Sequence, residues 1–207
     1  MTFHSLSANT VSQLLIQKFQ FNPLGECAIG NLIAEAIFID QRKVNVDVAF
    51  INDGGLRAGI SKGNITTADV LTVLPFPNVV TRFNMTGKEI IESLEYVSAG
   101  RNAQNLPIVS LCHWAGLRYA YDPSFPYMQK VQMVKIVNRA SGLFEPVDPF
   151  RIYLVAANNF VSDGGDNIVT ARPNIRGSLL SEITQDYIER LKNVYPVVDG
   201  RILKIET

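Results

Sequence analysis

The chain of 207 residues has two cysteines, two histidines, no excess of either charge and no long apolar run. Each shortage excludes something. Cys27 and Cys112 lie far apart and outside any CxxC arrangement, so there is no disulfide framework. They read as two buried thiols rather than as a bridge or a metal pair. Nineteen Lys and Arg balance nineteen Asp and Glu, and the formal charge is zero. No global electrostatic pull therefore favours nucleic acid or an anionic membrane surface. No apolar run approaches the roughly 20 residues that cross a bilayer. Met1-Thr2-Phe3-His4-Ser5 has neither a basic start nor a long apolar region and is not a signal peptide. It leaves room for a natural chain that extends further upstream. His4 is terminal, and His113, next to Trp114 in an apolar stretch, reads as a core or sheet residue. A hydrolytic centre of clustered histidines and carboxylates needs more ligands than this. HExxH, GxSxG and Walker-type phosphate loops are absent, and Gly54-Gly55 and Gly164-Gly165 do not fit GxGxxG. Cys112 beside His113 is no nucleophile and base, because neighbours in a strand point to opposite faces.

What is present is ordinary for a folded domain: 47% hydrophobic and 18% charged residues, with 14 Gly and 10 Pro. No repeat, low-complexity segment or linker divides the chain, so residues 1–207 read as one domain. Val11, Leu14, Leu15 and Phe19 form the stripe of a first helix, broken at Asn22-Pro23-Leu24-Gly25. Ile29, Leu32, Ile33, Ala36 and Ile37 mark a second helix. Val44 to Ile51 is a buried strand that runs into a glycine loop. Thr66 or Thr67 caps a short helix that Pro75 ends. Val79 to Met85 is a strand, and Thr86-Gly87-Lys88-Glu89 has the form of a capping box before a helix. Leu117 to Tyr121, Val131 to Val137 and Arg151 to Ala156 are strands, Leu179 to Val194 a helix, and residues 200–205 a closing strand. Strict βαβ alternation is missing. The predicted class is therefore α+β, a layered mixed-sheet domain with helices covering the sheets.

Two loops at strand ends carry the candidate chemistry: Asn52-Asp53-Gly54-Gly55-Leu56-Arg57 and Asn158-Asn159-Phe160-Val161-Ser162-Asp163-Gly164-Gly165-Asp166. Taken singly, each reads as a polar turn. Their order and spacing with other segments is more specific. Gly30-Asn31-Leu32-Ile33-Ala34-Glu35-Ala36-Ile37 is followed by the NxGG[IL]R pattern at Asn52 to Arg57 and by Gly63-Asn64-Ile65-Thr66. Val73-Leu74-Pro75-Phe76, Met85-Thr86-Gly87-Lys88-Glu89-Ile90, Asn159-Phe160, Gly164-Gly165-Asp166, Val194-Tyr195-Pro196 and Asp199-Gly200-Arg201-Ile202 complete the series. Over nearly its whole length the chain resembles the C-terminal, substrate-binding domain of the 5'-nucleotidase, UDP-sugar hydrolase and 2',3'-cyclic phosphodiesterase family.

That resemblance implies a site. Phe76 and Phe160 match the two rings that clamp a nucleobase, Asp166 a ribose-binding carboxylate, Arg57 an arginine at the sugar or phosphate, and Asn52 an asparagine of the same pocket. Gly54, Gly55, Gly164 and Gly165 let the loops approach ligand closely. The physics suits these roles: rings stack on a base, a carboxylate accepts from a cis-diol and a guanidinium forks onto phosphate. The bland alternatives are core phenylalanines, turn-capping Asn52 and Asp166, and a surface ion pair for Arg57. One departure is Pro23, which stands where the family has an arginine three residues before the glutamate, here Glu26. A phosphate contact is expected to be lost, with Arg82 and Lys62 the cations that could replace it.

The resemblance also implies a partner. The family's metal signature GNH[DE] is absent, since Leu32 follows Gly30-Asn31 and Ile65 follows Gly63-Asn64. The expectation is a nucleotide hydrolase whose two divalent metals, such as Zn or Mn, sit in an N-terminal metallophosphoesterase domain outside this sequence. No catalytic residue, cofactor or metal is then expected in this chain, which alone would be inactive. The ligand is a nucleotide or nucleoside, and the location is periplasmic, secreted or cell-surface by resemblance. The alternative is a non-catalytic nucleoside-binding or interaction module.

Overall fold

The computed structural model describes residues 25–100, 104, 111–195 and 197–205. The predicted first helix and Pro23 lie outside them. α1 (Ala28–Gln41), β1 (Val48–Asn52), α2 (Thr67–Val73), β2 (Val79–Thr86) and α3 (Gly87–Ser98) make up the first half. β3 (Cys112–Ala115), β4 (Leu117–Tyr121), β5 (Val131–Val137), β6 (Phe144–Pro146) and β7 (Ile152–Asn158) follow. α4 (Asn159–Ser162), β8 (Ile175–Leu179), α5 (Leu180–Leu191) and β9 (Ile202–Lys204) complete it.

The strands form two mixed sheets. A five-stranded sheet has the order β3-β1-β7-β2-β8, and a four-stranded sheet the order β6-β5-β4-β9. β1 pairs in parallel with β7, and β4 with β9; the other pairs are antiparallel. All five residues of β1 are buried, which explains its unbroken apolar run. Its side chains alternate between two cores. Ala49 and Ile51 join Ile33 and Ile37 of α1, Val70 of α2 and Ile183 of α5 on one face. Val48 and Phe50 join Leu94 of α3 and Tyr119, Tyr121 and Ile136 of the second sheet on the other. The result is three layers with the five-stranded sheet in the middle. This is the α+β arrangement expected.

Several ends differ from expectation. The strand predicted from Val44 starts at Val48, because Arg42–Val44 form a 3-10 turn and Asn45 takes φ 67°. The last helix stops at Leu191, where Lys192 turns to φ 61°. β6 and β8 were not anticipated. β6 is three exposed residues ending in proline, and β8 is an edge strand with Gly177 inside and almost no buried side chain, so neither shows alternation. No helix among the described residues is long and apolar enough to cross a membrane.

The capping box at α3 is formed as expected. Thr86 Oγ1 accepts from the Glu89 amide at 3.2 Å, and Glu89 Oε2 accepts from the Thr86 amide at 2.7 Å. Burial raises the Glu89 pKa, but the Thr86 amide and hydroxyl and the nearby Arg172 outweigh it and hold the carboxyl below its ordinary value. Thr86→Ala should cost about 1 kcal/mol in urea denaturation, and Thr86→Ser much less. A depressed folded pKa means that the stabilisation is present above the ordinary carboxylate range and lost as pH falls through the lowered value. The stability gap between wild type and Glu89→Gln should therefore close in acid, as read by denaturation at a series of pH values.

Candidate functional site

β1 and β7 run side by side in the sheet centre and finish at the same edge, in Asn52 and Asn158. Both side chains are buried, at 2% and 0% exposure, and a buried amide must find partners. Asn158 Nδ2 donates to Asn52 Oδ1 at 2.8 Å, and Asn52 Nδ2 donates to Asp166 Oδ2 at 2.8 Å. Asn158 Oδ1 accepts from the Val161 amide at 2.9 Å and so caps α4. Asn159 Oδ1 accepts from the Val79 amide at 2.9 Å, tying the same turn to β2. The chain of bonds fixes Asp166 relative to both central strands. Asn52 makes no capping bond to its own turn; its amide is spent on Asn158 and Asp166.

The second loop needs unusual backbone. Gly164 has φ 98°, and Asp166 and Asn167 follow at 57° and 54°. Gly164 adopts this region without penalty, while Asp and Asn are among the few side-chain-bearing residues that tolerate it. A Cβ on Gly165 would stand 2.5 Å from the Phe160 ring, so the ring rests directly on that glycine.

A pocket of about 190 Å³ opens here, lined by Asn52, Gly54, Gly55, Phe76, Asn78, Phe160 and Asp166. Phe76 and Phe160 are each 46% exposed, so neither is a core residue. Six of the nine residues and glycines nominated from sequence thus meet on one pocket. Arg57, Gly164 and Gly165 do not line it. Arg57 stands at the rim, its guanidinium carbon 6.0 Å from the Phe76 ring centroid and Nη1 3.5 Å from the Gly54 carbonyl. Lys62 and Arg82 are not among the lining residues either. The lining offers two aromatic rings, two amides and one carboxylate. That set suits a flat ring carrying hydroxyl groups and gives no cation to a phosphate.

Two residues escaped the sequence reading. Asn78 shows no motif. Asn158 heads the second loop, but its role depends on Asn52, 106 positions away. A larger cavity of about 540 Å³ lies between α1, α5 and the second sheet, lined in part by Glu35, Tyr187 and Arg201, and holds none of the nominated residues.

Both cysteines are free, but only Cys112 is buried; Cys27, the N-cap of α1, is half-buried. Burial pushes the Cys112 thiol well up, and the carboxylates of Asp166 and Asp53 push further, so it stays neutral. His113 sits in β3 as a sheet residue. Burial lowers its pKa, but Asp53 and Cys27 outweigh burial and carry it to about 9. Cys27, Asp53 and His113 are the one group of potential ligands among the described residues. Three ligands without a further carboxylate to bridge ions do not fit a two-metal phosphoesterase centre.

The family model described as "5'-nucleotidase, C-terminal domain" matches residues 8–172. This chain belongs to that family. Among relatives, the 5'-nucleotidase C-terminal domain found here is 34% identical over 190 residues to the trifunctional nucleotide phosphoesterase protein YfkN of Bacillus subtilis, covering 87% of this chain and 12% of that protein. It is 30% identical over 165 residues to an apyrase of Tabanus yao, covering 73% of this chain and 29% of that protein. Among solved structures, the 5'-nucleotidase precursor of Thermus thermophilus aligns with a TM-score of 0.76 and 32% identity, over 88% of this chain and 36% of that one. The chain therefore spans little more than a third, or less, of the length of these relatives.

Asn52→Ala should destabilise this 5'-nucleotidase C-terminal domain by about 1–3 kcal/mol in urea denaturation, since it strands the buried Asn158 amide. Asn78→Ala, whose side chain lines the pocket only, should stay within about 0.5 kcal/mol of wild type.

Proposed function

We propose that this chain is the substrate-holding domain of a metal-dependent 5'-nucleotidase-type phosphohydrolase. The base stacks between Phe76 and Phe160, Asp166 accepts from the ribose hydroxyls, and Arg57 faces the sugar or phosphate from the rim. The observation that carries this reading is the meeting of two half-exposed phenylalanines and a bonded carboxylate on one pocket in a chain of this family. Asn52 acts by holding Asp166 in place. Its amide has no free donor to read a base once both bonds are made, except the second hydrogen of Nδ2.

The small pocket fits a ring system and leaves the phosphate outside, where a catalytic partner can reach it. Hydrolysis belongs to a metallophosphoesterase domain of the same parent, which supplies two divalent metals. The groups here position substrate rather than break bonds. The relatives, named as an apyrase, a nucleotide phosphoesterase and a 5'-nucleotidase precursor, and their greater length support this division. A location outside the cytoplasm rests on resemblance to the family.

The absence of a cation from the pocket lining favours a second reading in one respect: the grip falls on the nucleoside part, and phosphate adds little. Calorimetric titration with adenosine, AMP and UMP separates the two. Wild type should bind, and Phe160→Ala should weaken binding by about 1–3 kcal/mol. Equal affinities for adenosine and AMP favour the nucleoside grip, and tighter AMP a phosphate contact by Arg57. Failure of every compound to bind, or an unchanged Phe160→Ala, would sink the proposal.

A further inference from the structure

Next to the pocket, where Asp53 sits in the chain between the lining residues Asn52 and Gly54, three elements bring a thiol, an imidazole and a carboxylate together. Cys27 is the N-cap of α1, and its sulfur accepts from the Gly30 amide at 3.4 Å. His113 belongs to β3 and faces Ile51 of β1 across the ladder. Asp53 opens the turn after β1, with its amide bonded to the Leu111 carbonyl at 2.8 Å. His113 Nε2 is 3.4 Å from Cys27 Sγ and 3.2 Å from Asp53 Oδ1. All three ligand atoms lie within 4.8 Å of one another. Gly30 makes the arrangement possible: a Cβ there would stand 2.1 Å from the imidazole.

Two readings are set apart by which nitrogen does what. In a Cys-His-Asp nucleophile, one ring nitrogen takes the thiol proton and the other is held by the carboxylate. Here Nε2 alone meets both partners most closely, and Nδ1, 3.9 Å from the same sulfur, has no carboxylate. One nitrogen carries either one proton or one lone pair, so it directs one good bond, to the carboxylate or to the thiol, and not both. A single cation placed between the three atoms would satisfy all of them. With metal–sulfur bonds of about 2.3 Å and metal–nitrogen and metal–oxygen bonds of about 2.0–2.2 Å, a tetrahedral zinc ion sets its ligand atoms roughly 3.4–3.6 Å apart. The observed 3.4 and 3.2 Å are close to those edges.

We infer that Cys27, His113 and Asp53 form a site for one thiophilic divalent cation of the zinc class. Thiolate with imidazole selects zinc over magnesium, calcium or manganese. His113 is buried, whereas Asp53 is 22% exposed and Cys27 half-buried, so an ion enters from the loop side and keeps one position for water. Bound there, it ties the turn carrying Gly54 and Gly55 to the start of α1. The site concerns this chain's own fold and does not depend on the nucleotide reading.

The test is cobalt titration of the full chain after chelator treatment. One equivalent should give tetrahedral visible bands and a thiolate-to-cobalt charge-transfer band, both bleached by zinc and untouched by equimolar magnesium. Cys27→Ser should abolish the charge-transfer band and weaken zinc binding more than about tenfold. Serine is a favoured N-cap, so the fold survives this change. Cys112→Ser should leave the spectrum intact, and His113→Gln should weaken binding as Cys27→Ser does. No charge-transfer band in wild type, or a band that persists in Cys27→Ser, overturns the inference.

Discussion

Parallel pairing of β1 with β7 is the constraint on which the rest hangs. It buries β1 on both faces and commits the chain to a core above and a core below. It also brings two asparagines from distant parts of the chain to one sheet edge. Buried there, the amides have to bond to each other, and the donor left over on Asn52 reaches Asp166. A packing requirement thus becomes the placement of a carboxylate in a pocket.

The same edge gathers the aromatic rings. Phe76 follows α2 by way of Leu74 and Pro75, and Phe160 lies in the short helix that Asn158 caps. Neither ring is held by a core around it. Phe160 is steadied by Gly165 beneath it, and Arg57 lies beside Phe76. Both rings keep about half their area exposed, where apolar surface remains in contact with water.

How much of this could be read from the residues alone follows from the range of each interaction. The Thr86–Glu89 capping box is three residues long, and it formed as written. β1 was recognised because burial on both faces leaves an unbroken apolar run. β6 and β8 were not, because edge strands exposed to solvent carry no periodic pattern. Six of the seven pocket residues were found by resemblance, and nothing in their local spacing would have joined Phe76 to Phe160. The roles of Asn158 beneath Asn52 and of His113 beside Cys27 were illegible, since each partner lies 86 to 106 positions away.

That separation has a consequence for how the domain comes into being. As the chain is synthesised, β1 emerges with no neighbour on either side. Its antiparallel partner β3 arrives about sixty residues later, and its parallel partner β7 later still. Non-local pairings of this kind are slow to form and leave apolar side chains and unpaired strand edges exposed meanwhile. Asp166 emerges after all of them. The pocket therefore cannot assemble on a growing or truncated chain that stops short of the second loop, and nascent β1 waits with its apolar residues unpaired until both partners have emerged.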